Sequence, residues 1–207
     1  MIAVVAYGMG NRRSVVKAFE RVGAEVALTS DETGLARAEG LVVPGVGAFP
    51  AAMRRLTSSG LDELIRTRAG EGAPVIGLCL GMQLLFERSD EHEGAEGLGL
   101  LGGEVRRLDP QGRKLPHIGW NLVRRERESP LLTGIPDPMA LYHVHSFVAH
   151  PTDPEDVLAT GEYGSRFVSL VARGTIFGAQ CHPEKSSTHG LQLLRNYVKL
   201  CREVAFA

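Results

Sequence analysis

The chain has 207 residues, 43% of them apolar and 23% charged, with a formal net charge of −1 at pH 7. That composition belongs to a globular protein with room for one sizeable core, and its charge gives no electrostatic case for nucleic acid or an anionic membrane. Paired arginines such as Arg12-Arg13 and Arg54-Arg55 are scattered along the chain and read as solvated surface. Three cysteines and an opening without a basic flank point to free thiols in a reducing cytoplasm, and no apolar run is long enough to span a membrane.

Residues 2–6 form a continuous apolar run, as expected of a buried parallel strand. A helical face follows over 13–22, then strands over 25–28 and 40–43, the latter stopped by Pro44. Helices are expected over 49–56 and 61–69, a fourth strand over 74–78, and a helix over 80–88. This alternation predicts an α/β fold with an open, mostly parallel sheet flanked by helices. The acidic stretch 89–97 reads as a loop. Strands are then expected over 104–108, 120–123, 141–144, 157–162, 167–172 and 175–180, a mixed or antiparallel insertion in the α/β frame, with a tight hairpin at Arg173-Gly174. The chain closes with a helix over 187–204 whose apolar spacing makes Cys201 a core residue. No repeat or long linker divides residues 1–207, so a single domain is expected.

Gly77-Leu78-Cys79-Leu80-Gly81 lies between the fourth strand and the helix after it. A nucleophile between small residues at such a junction reads as an elbow, a turn too sharp for bulky neighbours. A thiol there faces the free N–H groups and positive end of a helix, which favour a thiolate. About a hundred residues on, Cys181-His182-Pro183-Glu184 supplies a base and a carboxylate. If that segment is extended, His182 and Glu184 point to the same side, and Glu184 can orient the imidazole. Nucleophile, base and orienter together predict acyl transfer through Cys79, His182 and Glu184. Pro44-Gly45-Val46-Gly47 ends the third strand and offers half of an oxyanion hole, with the Gly47 N–H joining that of Leu80 after a modest change of backbone orientation.

Two other chemistries are weaker. His143-Val144-His145 puts two imidazoles on one face of a strand, but no Cys-x-x-Cys or His-Glu-x-x-His spacing accompanies it, so no metal is expected. Gly8-Met9-Gly10 lacks the third glycine and the acidic residue of a dinucleotide fingerprint, so no cofactor is expected.

Gly77-Leu78-Cys79-Leu80-Gly81-Met82-Gln83 and Gln180-Cys181-His182-Pro183-Glu184-Lys185-Ser186 resemble the paired signature of the class I (triad) glutamine amidotransferases, whose core is flavodoxin-like. Further segments narrow the resemblance to the glutaminase subunits of imidazole glycerol phosphate synthases. They are Tyr7-Gly8-Met9-Gly10-Asn11, Pro44-Gly45-Val46-Gly47-Ala48-Phe49, Pro116-His117-Ile118-Gly119-Trp120-Asn121 and Tyr142-His143-Val144-His145-Ser146-Phe147. The resemblance covers nearly the whole chain. It departs at Ala6, where the family usually has an acid, and at Cys181, where it usually has an aromatic.

The resemblance implies hydrolysis of glutamine to glutamate and ammonia by Cys79, His182 and Glu184. It also implies that Gln83 holds the α-amino and carboxylate end of the substrate, with Ser146 and Phe147 contacting that end through their backbone. It further implies a heterodimer with a cyclase subunit, a (β/α)₈ barrel that uses the ammonia to make imidazole glycerol phosphate and aminoimidazole carboxamide ribotide in histidine biosynthesis. Asn11, Trp120, Tyr142 and Lys185 are the residues expected to face it. The competing readings are the glutaminase of another synthase, such as that of pyridoxal phosphate synthesis, and a stand-alone cysteine hydrolase of γ-glutamyl peptides.

Overall fold

In the computed structural model, which describes residues 1–205, strands β1 (Ile2–Val5), β2 (Val26–Thr29), β3 (Gly40–Gly45) and β4 (Val75–Cys79) alternate with helices. Those helices are α1 (Arg12–Arg21), α2 (Glu32–Ala36), α3 (Phe49–Ser58), α4 (Leu61–Gly70) and, after β4, α5 (Leu80–Leu84). Then come β5 (Phe86–Ser89), β6 (Ala95–Glu96), β7 (Leu101–Arg107), β8 (His117–Arg125), β9 (Met139–His145) and β10 (Phe147–Pro151). The chain finishes with β11 (Val157–Tyr163), β12 (Ser165–Arg173), β13 (Ile176–Ala179) and α6 (Ser187–Ala205).

Nine strands make one sheet in the order β2-β1-β3-β4-β13-β12-β11-β8-β9. It is parallel from β2 to β13 and antiparallel from β13 to β9. Most of the expected insertion therefore extends the main sheet. Only β10, β7, β5 and β6 form a separate four-stranded sheet. The hairpin expected at 173–174 joins β12 to β13, with Arg173 opposite Ile176.

All four β1 side chains are buried because helices cover both faces. Ile2 and Val4 join Phe19, Leu193, Leu194 and Tyr197 on one face, while Ala3 and Val5 join Phe49, Leu56 and Ile65 on the other. Each such large side chain contributes about 1.5–3 kcal/mol when removed from water. Cys201 lies in the first of these layers, fully buried beside Gly40, where a Cβ would run into its sulfur. No helix among the described residues is long and apolar enough to cross a membrane.

Several elements differ from expectation. The helix after Cys79 ends at Leu84 instead of running to residue 88. The carbonyl oxygens of Leu84 and Leu85, which a longer helix would use, accept instead from the N–H groups of Leu98, Leu100 and Leu101. Stretch 89–97 is not all loop, because Ala95–Glu96 pairs antiparallel with β5. Helix α2, started by the Asp31 carboxylate accepting from Gly34 N–H at 2.7 Å, and strand β10 are further elements the sequence pattern did not mark.

Candidate active site

The nucleophile candidate stands at the end of a central strand. Cys79 has φ 54° and ψ −113°, a region that residues with a side chain rarely occupy, and Leu80 opens α5 directly behind it. The turn closes because Gly77 and Gly81 bring no side chain to it. A Cβ on Gly81 would strike the Val43 carbonyl, and one on Gly77 would strike Gly81 itself. Strand register sets Gly45 beside Cys79, so the 44–47 loop leaves β3 next to the sulfur. The Tyr7 hydroxyl donates to the Pro44 carbonyl at 2.5 Å and fixes the start of that loop. Gly47 has φ 101°, a conformation suited to glycine alone.

β13 is hydrogen-bonded beside β4, and this adjacency delivers His182 to Cys79. The sequence expectation of an extended His182–Glu184 segment is corrected here. Pro183–Lys185 is a turn of 3₁₀ helix with Pro183 in its first turn, and it bends the carboxylate back onto the ring. His182 Nδ1 donates to Glu184 Oε1 at 2.9 Å. Its main chain is held by the Tyr142 carbonyl, at 2.8 Å, and by the Ser186 hydroxyl, at 2.7 Å. Burial alone would lower the pKa of this imidazole. The hydrogen bonds and charges of Cys79 and Glu184 outweigh burial and push it up to about 9. Glu184 is itself almost wholly buried, at 2% side-chain exposure, with Oε2 lacking a hydrogen-bond partner. Cys181, one residue before the base, is fully buried, and desolvation holds its thiol well above the ordinary range, so it packs and does not react.

Cys79 and His182 open onto a cavity of about 220 Å³ whose wall includes Gly47, Leu80, Gln83 and the 144–147 segment. The Cys79 thiol donates to the Val144 carbonyl at 3.7 Å. Gln83 Nε2 donates to the Phe147 carbonyl and to Gln180 Oε1, both at 3.0 Å, and so turns its own Oε1 away from them. Ser146 and Phe147 lie in the same wall. Sequence reasoning missed Glu91, which also lines the cavity and whose Oε2 accepts from the Phe49 N–H at the start of α3, at 2.7 Å. It also missed His145 in this wall. Nothing local marked Glu91, and His145 stood out only beside His143 as a metal candidate, because stretch 89–97 and strand β9 meet the pocket only after folding.

Of the residues expected to face a partner, Trp120, Tyr142 and Lys185 form one surface. Trp120 and Tyr142 pack edge to face at 5.9 Å, and the Lys185 ammonium lies 5.9 Å from the centre of the Tyr142 ring. Ile118, Trp120 and Leu122 alternate along β8 as an exposed apolar stripe, each more than half exposed. Asn11 lines a small recess shared with Pro44, His182 and Glu184.

A cysteine at a sharp strand-to-helix turn, an imidazole hydrogen-bonded to a carboxylate and a glycine loop beside them cluster at the end of the parallel half of the sheet, an arrangement suited to a cysteine amidotransferase. Residues 3–200 match the family model for glutamine amidotransferase class-I, and the chain belongs to that family. Solved structures agree on the fold. A glutamine amidotransferase crystal structure superimposes with a TM-score of 0.77 at 22% identity, over 97% of this chain and 98% of its own. A chain of PurLQS from Thermotoga maritima does so at 0.76 and 20%, over 96% of this chain and 97% of its own.

Closer relatives narrow the class. The imidazole glycerol phosphate synthase subunit HisH of Bacillus cereus (strain G9842) is 49% identical, over 95% of this chain and 93% of that protein. The HisH subunit of Moorella thermoacetica is 48% identical, over 100% of this chain and 98% of that protein.

Proposed function

We propose that the chain hydrolyses glutamine and passes the ammonia to a cyclase subunit that makes imidazole glycerol phosphate and aminoimidazole carboxamide ribotide. The observation that carries the chemistry is the His182–Glu184 pair. With Nδ1–H committed to the carboxylate, Nε2 is left to face Cys79. Cys79 first gives its thiol proton to His182 Nε2, whose raised pKa favours the charged ring, and the thiolate Sγ then attacks the side-chain amide carbon. The tetrahedral oxyanion is met by the N–H of Leu80 and, after reorientation of the 44–47 loop, by that of Gly47. The imidazolium returns its proton to the leaving nitrogen, which departs as ammonia. Water, activated by the same imidazole, then hydrolyses the γ-glutamyl thioester to glutamate and free thiol. Gln83 Oε1 and the Glu91 carboxylate supply acceptors for the substrate's α-ammonium, and backbone groups of Ser146 and Phe147 meet its carboxylate.

Ammonia released into water is protonated and lost, so the site calls for a partner sealed against it. The Ile118–Trp120–Leu122 stripe with Tyr142 and Lys185 supplies an apolar, aromatic and cationic patch for a (β/α)₈ barrel. The test replaces Cys79 by Ala in the two-subunit complex. Glutamine-dependent product formation is abolished, while formation fed by ammonium salts continues. Retained glutamine-dependent activity overturns the reading.

A further inference from the structure

His117, His143 and His145 are buried within ring-stacking distance of one another, and the mechanism above uses none of them. Their hydrogen bonds fix every proton. The Phe147 carbonyl can only accept, so the His145 nitrogen 3.2 Å from it, Nδ1, carries hydrogen. A neutral His145 then has a bare Nε2, which lies 3.0 Å from His117 Nδ1 and must accept from it. That leaves His117 Nε2 bare, 3.5 Å from the Asn121 amide nitrogen, which also donates to the Glu162 carbonyl at 2.9 Å. His143 is settled separately. Its Nδ1 donates to the Leu141 carbonyl at 3.1 Å, and its Nε2 accepts from the Ser169 hydroxyl at 2.9 Å. Among the described residues no group of three or more His, Cys, Asp or Glu is arranged to hold a metal ion, and these ring nitrogens already have hydrogen-bond partners.

The chain of donors runs one way, from Asn121 through His117 and His145 to the Phe147 carbonyl. That oxygen receives a second hydrogen bond from Gln83, so both of its lone pairs are occupied. We propose that His145, oriented by His117, is a positioning residue for the glutamine pocket. Its Nδ1–H holds the Phe147 carbonyl in the place where that carbonyl also aligns Gln83. The inference rests on the glutamine reading above and adds residues to it. Removing the donor frees the 146–147 backbone and the Gln83 amide together, which weakens the hold on the amino-acid end of the substrate. The triad is left in place, since His182 and Glu184 reach Cys79 from another strand.

Two substitutions separate this role from mere filling of space. His145→Phe keeps the ring volume without the donor, whereas the amide nitrogen of His145→Asn falls near the position of Nδ1. In the complex with the cyclase subunit, His145→Phe raises KM for glutamine about tenfold, the worth of one buried hydrogen bond, with kcat within about twofold. His145→Asn stays within about twofold in both. Equal KM values for the two variants, or a fall confined to kcat, overturn the proposal. Nitrogen-15 NMR of the unsubstituted protein gives a readout that needs no variant to fold. Both His145 and His117 are expected as the Nδ1–H tautomer, and an Nε2–H tautomer at His145 overturns the donor chain. A wild-type complex unable to use glutamine refutes the proposed function, whereas normal wild-type turnover without the KM split refutes only the positioning role.

Discussion

His182 and His145 border the same cavity, at 6% and 5% exposure, and burial acts on both in the same sense, against the charged ring. Their outcomes are opposite. His182 has a carboxylate on one nitrogen and shares the cavity wall with Cys79, and these two neighbours raise its pKa to about 9. His145 has a carbonyl on one side and a second imidazole on the other, and its pKa falls to about 3. His117 is driven down to about 4 by burial and by Arg113, and His143 lies well below the usual imidazole range. What separates the two rings in this pocket is the charge of the hydrogen-bond partner. Depth from solvent is nearly the same for both.

The broadest way to break the comparison is acid. A buried imidazole whose folded pKa is depressed stays neutral while the unfolded chain takes up a proton, so stability is lost as pH falls below the unfolded value of about 6.5. His117, His143 and His145 all act in this sense, so stability is expected to fall as pH drops from about 6.5 toward 5. His182 behaves oppositely. Its contribution is complete below about pH 6.5 and fades as pH rises through about 9. Urea titrations between pH 8 and 5 check this, and a flat unfolding free energy over that range would contradict it.

A narrower way is to give His182 a neutral partner like those of its neighbours. Glu184→Gln removes the charge while keeping the shape. It is expected to lower glutamine turnover about 10³-fold and to bring the His182 pKa down from about 9, read by steady-state kinetics and by NMR titration. Unchanged turnover would mean that the carboxylate does not orient the base.

The smallest effect sharpens the scaffold side. Ser169→Ala removes the hydroxyl that donates to His143 Nε2 and leaves a buried acceptor unmet. It is expected to lower stability by about 1–3 kcal/mol and to leave kcat within about twofold. Thermal unfolding alongside a glutaminase assay measures both, and a large loss of kcat without loss of stability would place His143 in the chemistry.

The triad candidates were legible because each piece has a local grammar. Glycines at 77 and 81 around a cysteine announce a sharp strand-to-helix turn, and His182 and Glu184 two apart announce a base with a carboxylate beside it, although the bend at Pro183 was read as extended chain. The parallel half of the sheet was legible for a similar reason, since strands buried on both faces are written as unbroken apolar runs. The shortness of α5 was not legible, because partners from residues 98–101, far from it in the pattern, take the carbonyls that would have continued the helix. The histidine chain was visible only as a strand with two imidazoles, and metal was the alternative worth weighing. Which nitrogen carries hydrogen depends on carbonyls and rings from β8 and β10, and no spacing rule encodes that.

The thiol closes one strand and its base follows another that is added roughly a hundred residues later, slotted between β4 and β12. A growing polypeptide on the ribosome thus carries the cysteine long before anything can activate it. Reactivity is expected only once β13 has paired with β4 and brought His182 toward the sulfur. In a refolding experiment hydrolysis is expected to appear with the pairing of β13 to β4.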